Sequence, residues 1–323
     1  MQEAIIKRAK ELLADGSVNR VIGWKKGEFV YDITPAVFET AEEIDADFVY
    51  NELTSANVSK YLVKETKKDG KVLVFLKPCD TYSFNQLTKE HRINRENVYV
   101  IGIPGGPKLD VEKIKAKGIT GILNITNDNG TLKIETLYGE ETMPFADAVS
   151  TKCENCKSRK HVVFDELIGE DGDVTETNRF EMVEKLENMT SQERFDFWRD
   201  QLSKCIRCNA CRNICPACTC EKCVFDNPDL GTDNKAAADS FEENMFHIIR
   251  AFHVAGRCTD CGECSRVCPQ NIPLHLLNRK FIKDINSLYG EYQAGEDTTS
   301  RAPLTDYTFD DCEASIVHER GAE

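Results

Sequence analysis

The sequence of 323 residues lacks the features of membrane-spanning, secreted and nucleic-acid-binding proteins. No apolar run approaches the ~20 residues that a membrane-spanning helix requires. Residues 1–14 form a charged amphipathic run in place of the basic and apolar regions of a signal peptide. Lys and Arg total 41 against 55 Asp and Glu, and the resulting formal charge of −14 argues against nucleic-acid binding. We therefore expect a cytoplasmic protein with no membrane span.

Familiar catalytic and nucleotide-binding motifs are missing as well. The chain contains neither a G-x-G-x-x-G fingerprint nor a P-loop. None of its six histidines forms a pair at metal-ligand spacing or a recognisable catalytic constellation. We assign no catalytic residue, so the chemistry is expected to come from bound cofactors.

Cysteine, in contrast, is abundant. Fifteen cysteines without a secretory signal indicate metal ligation, because the cytosol keeps thiols reduced. Eight of them form two runs of the pattern C-x-x-C-x-x-C-x-x-x-C-P, which begin at Cys205 and Cys258. This spacing is typical of 4Fe-4S clusters, whereas structural zinc uses two C-x-x-C pairs.

The fourth cysteine of such a run binds the cluster of the other run. The predicted ligands of the first 4Fe-4S cluster are Cys205, Cys208, Cys211 and Cys268. The predicted ligands of the second are Cys258, Cys261, Cys264 and Cys215. Because each run lends a ligand to the other, we expect the clusters to lie close together, which favours electron transfer between them. An anaerobic or oxygen-poor setting suits such a protein.

The other cysteines near these runs are Cys153, Cys156, Cys218, Cys220 and Cys223. The pairs Cys153-x-x-Cys156 and Cys220-x-x-Cys223 supply four thiolates, with Cys218 as an alternative ligand. Two C-x-x-C pairs hold either zinc or a further iron–sulfur cluster, and spacing does not separate these. The surrounding redox chemistry favours a third 4Fe-4S cluster, with zinc as the second alternative and free thiols as the third. Cys312, near the end of the chain, is expected to be inert.

Cations crowd the two runs although the chain as a whole is acidic: Lys204, Arg207, Arg212, Arg257 and Arg266. A cluster held by four thiolates is negatively charged, and more so when reduced, so nearby cations would raise its reduction potential. Ordinary surface charge, or a docking patch for an acidic partner, explains them equally well.

The first 150 residues predict an α/β domain with a mostly parallel sheet. Residues 2–14 have helical periodicity, and continuous apolar runs at 71–76 and 97–103 are typical of strands buried on both faces. Helical segments at 81–90 and 110–115 follow these runs, and strand–helix alternation implies parallel pairing. Residues 119–137 predict a hairpin at the edge of this sheet.

Ligands gather at the carboxyl ends of strands in such sheets. The loops there carry Cys79 and the pair Gly105-Gly106. One interpretation is a flavin or partner-docking site, with the glycines letting the backbone approach a phosphate. The other is that Pro and Gly merely turn the chain and that Cys79 is a small buried apolar residue.

The second half predicts a mainly helical ferredoxin-like domain. We divide the chain into an α/β domain (1–150), a connector with a C-x-x-C pair (151–188), a dicluster domain (189–285) and an acidic tail (286–323). Thr190 and Glu193 form a capping box that starts a helix leading to Cys205. Between the runs lies one apolar helical face, expected to be core: Phe241, Met245, Ile248, Ile249 and Phe252. The tail is expected to be disordered alone or to dock on a partner.

Two stretches resemble known families. Residues 256–273, around the second run, resemble the alpha-helical dicluster ferredoxins of heterodisulfide reductase and fumarate reductase iron–sulfur subunits. Residues 76–80, the strand ending at 100–104 and the Cys153/Cys156 connector resemble the beta subunits of coenzyme F-420 hydrogenases and formate dehydrogenases. The second resemblance implies bound FAD and hydride exchange with the deazaflavin. It also implies a cysteine after Ile-Pro, where this chain has Gly105-Gly106.

We therefore expect an iron–sulfur electron-transfer subunit of a multisubunit anaerobic oxidoreductase. Its partners would be hydrogenase, formate dehydrogenase or heterodisulfide reductase-like flavoprotein subunits, and one form of such an assembly is electron-bifurcating. The alternative is an FAD-dependent subunit that exchanges hydride with coenzyme F-420 or NAD(P) and passes electrons to the clusters. A pure docking role for residues 1–150 is a third reading.

Overall fold

A computed structural model describes residues 1–158, 160–173, 177–228, 240–306 and 308–311, and for 240–243 the backbone alone. Cys312 lies outside this range. The chain divides into two compact units. The first comprises residues 1–81 and 91–177, and the second comprises 82–90 and 178–323. No described helix is both long and apolar enough to cross a membrane.

The helices up to residue 154 are α1 (Gln2–Ala14), α2 (Ala41–Asp47), α3 (Leu62–Glu65), α4 (Pro78–Lys89), α5 (Val111–Ala116) and α6 (Thr151–Glu154). The strands are β1 (Arg20–Lys26), β2 (Ile33–Phe38), β3 (Val72–Leu76), β4 (Val98–Gly102), β5 (Ile122–Asp128), β6 (Thr131–Thr136), β7 (Gly139–Pro144) and β8 (Glu166–Leu167). The later helices are α7 (Glu181–Glu187), α8 (Ser191–Ser203), α9 (Ala210–Ile214), α10 (Ser240–His253), α11 (Glu263–Arg266) and α12 (His275–Tyr289).

The first unit contains a mixed, mostly parallel sheet, as predicted. Its strand order is β2-β1-β3-β4-β8. Pairing is parallel from β1 through β3 and β4 to β8, and β2 pairs antiparallel with β1 at the edge. Every residue of β3 is buried, because helices and loops cover both faces of a parallel sheet. This arrangement places the loops after β3 and β4 side by side.

The predicted hairpin forms, but it lies in a different sheet. Strands β5 and β6 pair antiparallel, and β7 extends them into a separate three-stranded sheet. Leu132 and Ile134 alternate with exposed residues along β6 and pack with Ile114 in a small core of their own. The expectation of a hairpin at the edge of the parallel sheet was therefore wrong. The turn residues predict a hairpin, whereas the sheet it joins depends on distant contacts.

The second unit is mainly helical, and its predicted capping box is present. The Thr190 hydroxyl accepts a hydrogen bond from the Glu193 N–H at 3.3 Å, and the Glu193 carboxylate accepts one from the Thr190 N–H at 2.8 Å. These bonds satisfy N–H groups that a helix start leaves unpaired. Helix α8 then runs directly to the first cysteine of the first run.

Helix α10 buries the opposite face from the one its apolar pattern predicts. Met245, Ile248 and Phe252 are 38%, 40% and 61% exposed, while His247 and Arg250 are each only 1% exposed. The side chain of Phe241 lies outside the described residues. The expectation that the apolar face is core was wrong. Instead, Ile248 and Phe252 line an apolar groove of about 450 Å³ that also involves α7, α8 and α12.

Part of the acidic tail packs within the second unit. Gln293, Ala294 and Ala302 are buried. The Gln293 side chain accepts a hydrogen bond from Arg179 at 2.7 Å. Residues 290–302 therefore pack against other residues of the second unit.

We expect the Gly295→Ala substitution to destabilise the second unit. Gly295 has φ of +77°, and a Cβ there would stand 1.9 Å from the Tyr82 carbonyl oxygen. Gly290→Ala is the control, because Gly290 also has positive φ but open space around its Cβ position. Strain alone costs roughly 1–3 kcal/mol, and the clash adds to it at position 295. Thermal melting of the anaerobic protein should show a larger loss for Gly295→Ala, whereas equal losses would contradict the packing of the tail.

Candidate metal centres

The two cysteine runs wrap their centres with the same backbone conformation. Arg207 and Asp260, each two residues after the first cysteine of its run, have φ of 53° and 58°. Asn209 and Gly262, two residues further on, have φ of 61° and 69°. Left-handed conformations are uncommon for residues with a side chain, and they turn successive N–H groups toward one point. The Arg207 N–H contacts the Cys205 Sγ at 3.4 Å in this way.

The first run shares a cavity with the last cysteine of the second run. The cysteines that line it are Cys205, Cys208, Cys211 and Cys268. Leu202, Ile272 and Leu274 pack around Cys211 and form an apolar wall. Cys208 is exposed, whereas Cys211 is buried. This centre therefore has one edge at the protein surface.

The cysteines of the second run lie close to Cys215 of the first. Burial raises the pKa values of the Cys258, Cys261 and Cys264 thiols, that of Cys264 to about 12. The charge of Cys215 raises the pKa values of all three thiols further, so Cys215 is within electrostatic range of each of them. Buried thiols resist ionisation unless a metal binds the thiolate. This donor set therefore fits an iron–sulfur cluster.

Two buried polar side chains on α10 also indicate that a negatively charged group binds near the first run. His247 lines the cavity of the first run, and neither of its ring nitrogens has a hydrogen-bond partner in the described part of the chain. Arg250 likewise has no partner there for its Nε, Nη1 or Nη2. Burial and the charges of Arg250 and Arg207 lower the pKa of His247 to about 3, so this ring is neutral. Unsatisfied donors beside thiols suit a bound, negatively charged cluster.

Arg250 was missed by sequence reasoning. Burial opposes its charge, but the thiols of Cys264, Cys211, Cys215 and Cys218 outweigh burial and raise its pKa. The only sequence signal is that Arg250 is the single Lys or Arg in the mainly apolar stretch 245–255. Periodicity directed attention to the other face of the same helix.

Most of the cations singled out from the sequence are paired with carboxylates. The pairs are Lys204 with Asp200, Arg212 with Asp226, Arg257 with Glu90 and Arg266 with Glu263. Arg207 is buried, and its guanidinium lies 4.4 Å from the centroid of the Phe246 ring. Asp260, at the position equivalent to Arg207, pairs with Arg279 at 2.7 Å. The two runs therefore share a backbone but differ in local charge.

A second cavity lies in the first unit at the carboxyl ends of β3 and β4. The loops after these strands bring Cys79, Gly105 and Gly106 together there, and Cys153 and Cys156 line the same cavity. A Cβ at Gly105 would stand 2.7 Å from the Pro78 ring, whereas the space around Gly106 is open. Three thiols and one open glycine position therefore face this cavity.

Three lysines also line the second cavity. Lys77 forms a buried ion pair with Asp80 at 2.6 Å and donates to the Ala56 carbonyl. Lys108 and Lys152 donate to the carbonyls of residues 51 and 55. Burial and nearby Lys77 lower the pKa of Lys108 to about 7, while burial and Asp80 raise the pKa of Cys79. Thiols beside several cations suit an anionic cofactor.

The remaining pair, Cys220 and Cys223, lies in the second unit, where Cys223 contacts Arg212. Its grouping with Cys153 and Cys156 stays a prediction. Within the described residues, no three Cys, His, Asp or Glu side chains are placed to hold a single metal ion.

Comparisons with known proteins agree with this geometry. Residues 201–272 match the family described as the 4Fe-4S dicluster domain. The F420-dependent formate dehydrogenase subunit beta of Methanocaldococcus jannaschii is 23% identical, over 87% of this chain and 88% of that protein. The F420-dependent formate dehydrogenase 1 subunit beta of Methanococcus maripaludis is 26% identical, over 87% and 89%.

Two further comparisons cover less of the chain. A putative ferredoxin-3 of Sinorhizobium fredii is 32% identical over 80 residues, which are 24% of this chain and 75% of that protein. A structure of the F420-reducing [NiFe] hydrogenase complex from Methanosarcina barkeri aligns with 48% of this chain and 58% of that chain, at 15% identity. Its TM-score of 0.36 is too low to support an inference about fold.

The comparisons support the electron-transfer chemistry that the cysteine runs predict. The match to the 4Fe-4S dicluster domain spans both runs and the insert between them. The similarity to the formate dehydrogenase subunits extends well beyond that domain, into the first unit. Residues 201–272 thus form a 4Fe-4S dicluster domain, and the chain resembles, over most of its length, the beta subunits of F420-dependent formate dehydrogenases.

Proposed function

We propose that this chain is the electron-transfer subunit of a multisubunit oxidoreductase related to F420-dependent formate dehydrogenases and hydrogenases. The observation that carries the proposal is the exchange of cysteines between the two runs within one unit. Cys268 lines the cavity of the first run, and Cys215 lies beside the thiols of the second. Clusters held in this way are close neighbours, so electrons pass singly between them.

The first cluster is the exchange point with a partner. Its ligand Cys208 is exposed, and the neighbouring Ile206 is 53% exposed. An apolar side chain beside an exposed ligand suits transient docking of another redox protein. The partner is a subunit that handles the two-electron chemistry, since the sequence of this chain shows no recognisable catalytic constellation. We place this assembly in the cytoplasm of an anaerobe, because the many thiols require a reducing compartment.

The exchange of ligands predicts which substitutions affect the same cluster. Cys268→Ser and Cys208→Ser should both perturb the first cluster and leave the second cluster intact. Cys261→Ser should instead perturb the second cluster and leave the first intact. Anaerobic EPR spectra of the reduced variants measure this, with Cys312→Ser as a control outside both runs. A Cys268→Ser spectrum that matches Cys261→Ser in place of Cys208→Ser would refute the exchanged pairing.

A third metal centre remains to be assigned, and two groupings are open. The sequence groups Cys153 and Cys156 with Cys220 and Cys223, with Cys218 as an alternative ligand. The cavity of the first unit supports a different set, Cys79, Cys153 and Cys156, with Lys77, Lys108 and Lys152 offsetting the charge of a cluster.

Metal analysis of the anaerobically purified chain separates these possibilities. About 12 irons per chain indicate three 4Fe-4S clusters, and about 8 irons with one zinc indicate a zinc site. We expect Cys79→Ala to lower the iron content by about one cluster and Cys220→Ala to leave it unchanged. The opposite result would favour the grouping that includes Cys220 and Cys223.

The second candidate function is hydride exchange through bound FAD, with coenzyme F-420 or NAD(P) as the hydride carrier. The names of the two long relatives favour it, because a deazaflavin transfers hydride while clusters take single electrons, and a flavin converts one into the other. Gly106 and the three lysines of the second cavity would suit an anionic cofactor. Flavin released by anaerobic denaturation is the test. About one flavin per chain supports hydride exchange through FAD. No flavin, with the clusters intact, supports a subunit that transfers electrons through its clusters alone.

A further inference from the structure

Arg250 is a buried charge that its protein surroundings do not neutralise. Its side chain is 1% exposed, and all three guanidinium nitrogens lack a hydrogen-bond partner among the described residues. A buried charge without a partner is strongly unfavourable, so proteins pair such groups or place them beside a bound ion. The guanidinium cannot escape by losing its proton, because its pKa is far above the physiological range.

Arg250 lies one helical turn after His247, which lines the cavity of the first run, and thiol groups from both runs are close enough to act on its charge. Cys264 and Cys215 belong to the predicted ligands of the second cluster, Cys211 belongs to those of the first, and Cys218 follows the first run. Neutral thiols would offer this cation little compensation. Thiolates bound to two clusters would supply the missing negative charge from both sides.

The cations near the cysteine runs that already have carboxylate partners do not need a cluster to compensate their charge. Arg212, Arg257 and Arg266 have carboxylate partners at 2.7, 2.5 and 2.7 Å. Their charges are therefore largely compensated before any cluster binds. Arg250 lies on the buried face of α10 together with Phe246, His247 and Ala251.

We propose that Arg250 is the shared counter-ion of the two clusters: its N–H groups bond to their sulfurs, and its charge raises their reduction potentials. The inference depends on the clusters of the proposed function. Each one-electron reduction adds one negative charge to a cluster, so a fixed guanidinium stabilises the reduced form more than the oxidised form. A cation placed between the two clusters also offsets the repulsion of an electron on one by the charge on the other.

The test compares Arg250→Met and Arg250→Lys with the wild-type full chain in an EPR-monitored redox titration. Arg250→Met removes the charge while filling similar space, and it should shift the midpoint potential of at least the second cluster downward. Arg250→Lys keeps a positive charge and should stay closer to the wild-type potentials. Arg199→Met is the matched control, since Arg199 is exposed, pairs with Asp196 at 3.0 Å and loses the same charge at the surface.

Each outcome decides the matter. Potentials unchanged in Arg250→Met with both clusters retained would overturn the proposal, as would a shift of equal size in Arg199→Met. If Arg250→Met loses iron while Arg250→Lys retains it, the charge is needed to hold the clusters, which supports the proposal. Loss of iron in both variants indicates a packing role and overturns it. Absence of iron in the wild-type chain would instead contradict the proposed function itself.

Discussion

The second unit depends on one electrostatic constraint, which is that several thiolates must be held together away from water. Burial and neighbouring negative charges raise the pKa values of the Cys258, Cys261 and Cys264 thiols. In the proposed clusters, iron would offset part of the thiolate charge, and backbone N–H groups and Arg250 would offset more of it. The left-handed residues, the apolar wall around Cys211 and the orientation of α10 are all explained by this requirement.

The two runs show how a repeated motif acquires different surroundings. Both loops turn at equivalent residues, so the backbone around each centre is nearly the same. The side chains at the first of these positions have opposite charges, Arg207 in one run and Asp260 in the other. Asp260 in turn contacts Arg279 and Arg179, which tie the second run to α12 and to the chain before α7. Differences of this kind give two similar clusters different potentials.

The first unit also holds several thiols close together, but here lysines surround them. Its cavity joins three thiols with three lysines, each of which is anchored to a backbone carbonyl. The lysines come from three separate stretches of the chain, and the parallel order of β3 and β4 brings two of these stretches together. The parallel sheet thus brings residues from distant stretches together in the first unit. In the second unit the two cysteine runs do this.

The sequence by itself determined the features that depend on local spacing. Cysteine spacing predicts two clusters and their ligands because one turn of backbone fixes three thiols around a cube. Continuous apolar runs predict β3 and β4, and the Thr190–Glu193 pattern predicts the start of α8, because these signals act over a few residues.

Only the tertiary structure decided how distant segments combine. It placed β5 and β6 in a sheet of their own, folded residues 290–302 onto the second unit and gathered Cys79 with Cys153 and Cys156. It also buried Arg250 in place of the apolar face of α10. Periodicity assumes that a helix buries its apolar side, and this assumption fails for α10. The sequence predicts which cysteines bind the clusters, but which cation lies near those cysteines depends on contacts between segments far apart in the chain.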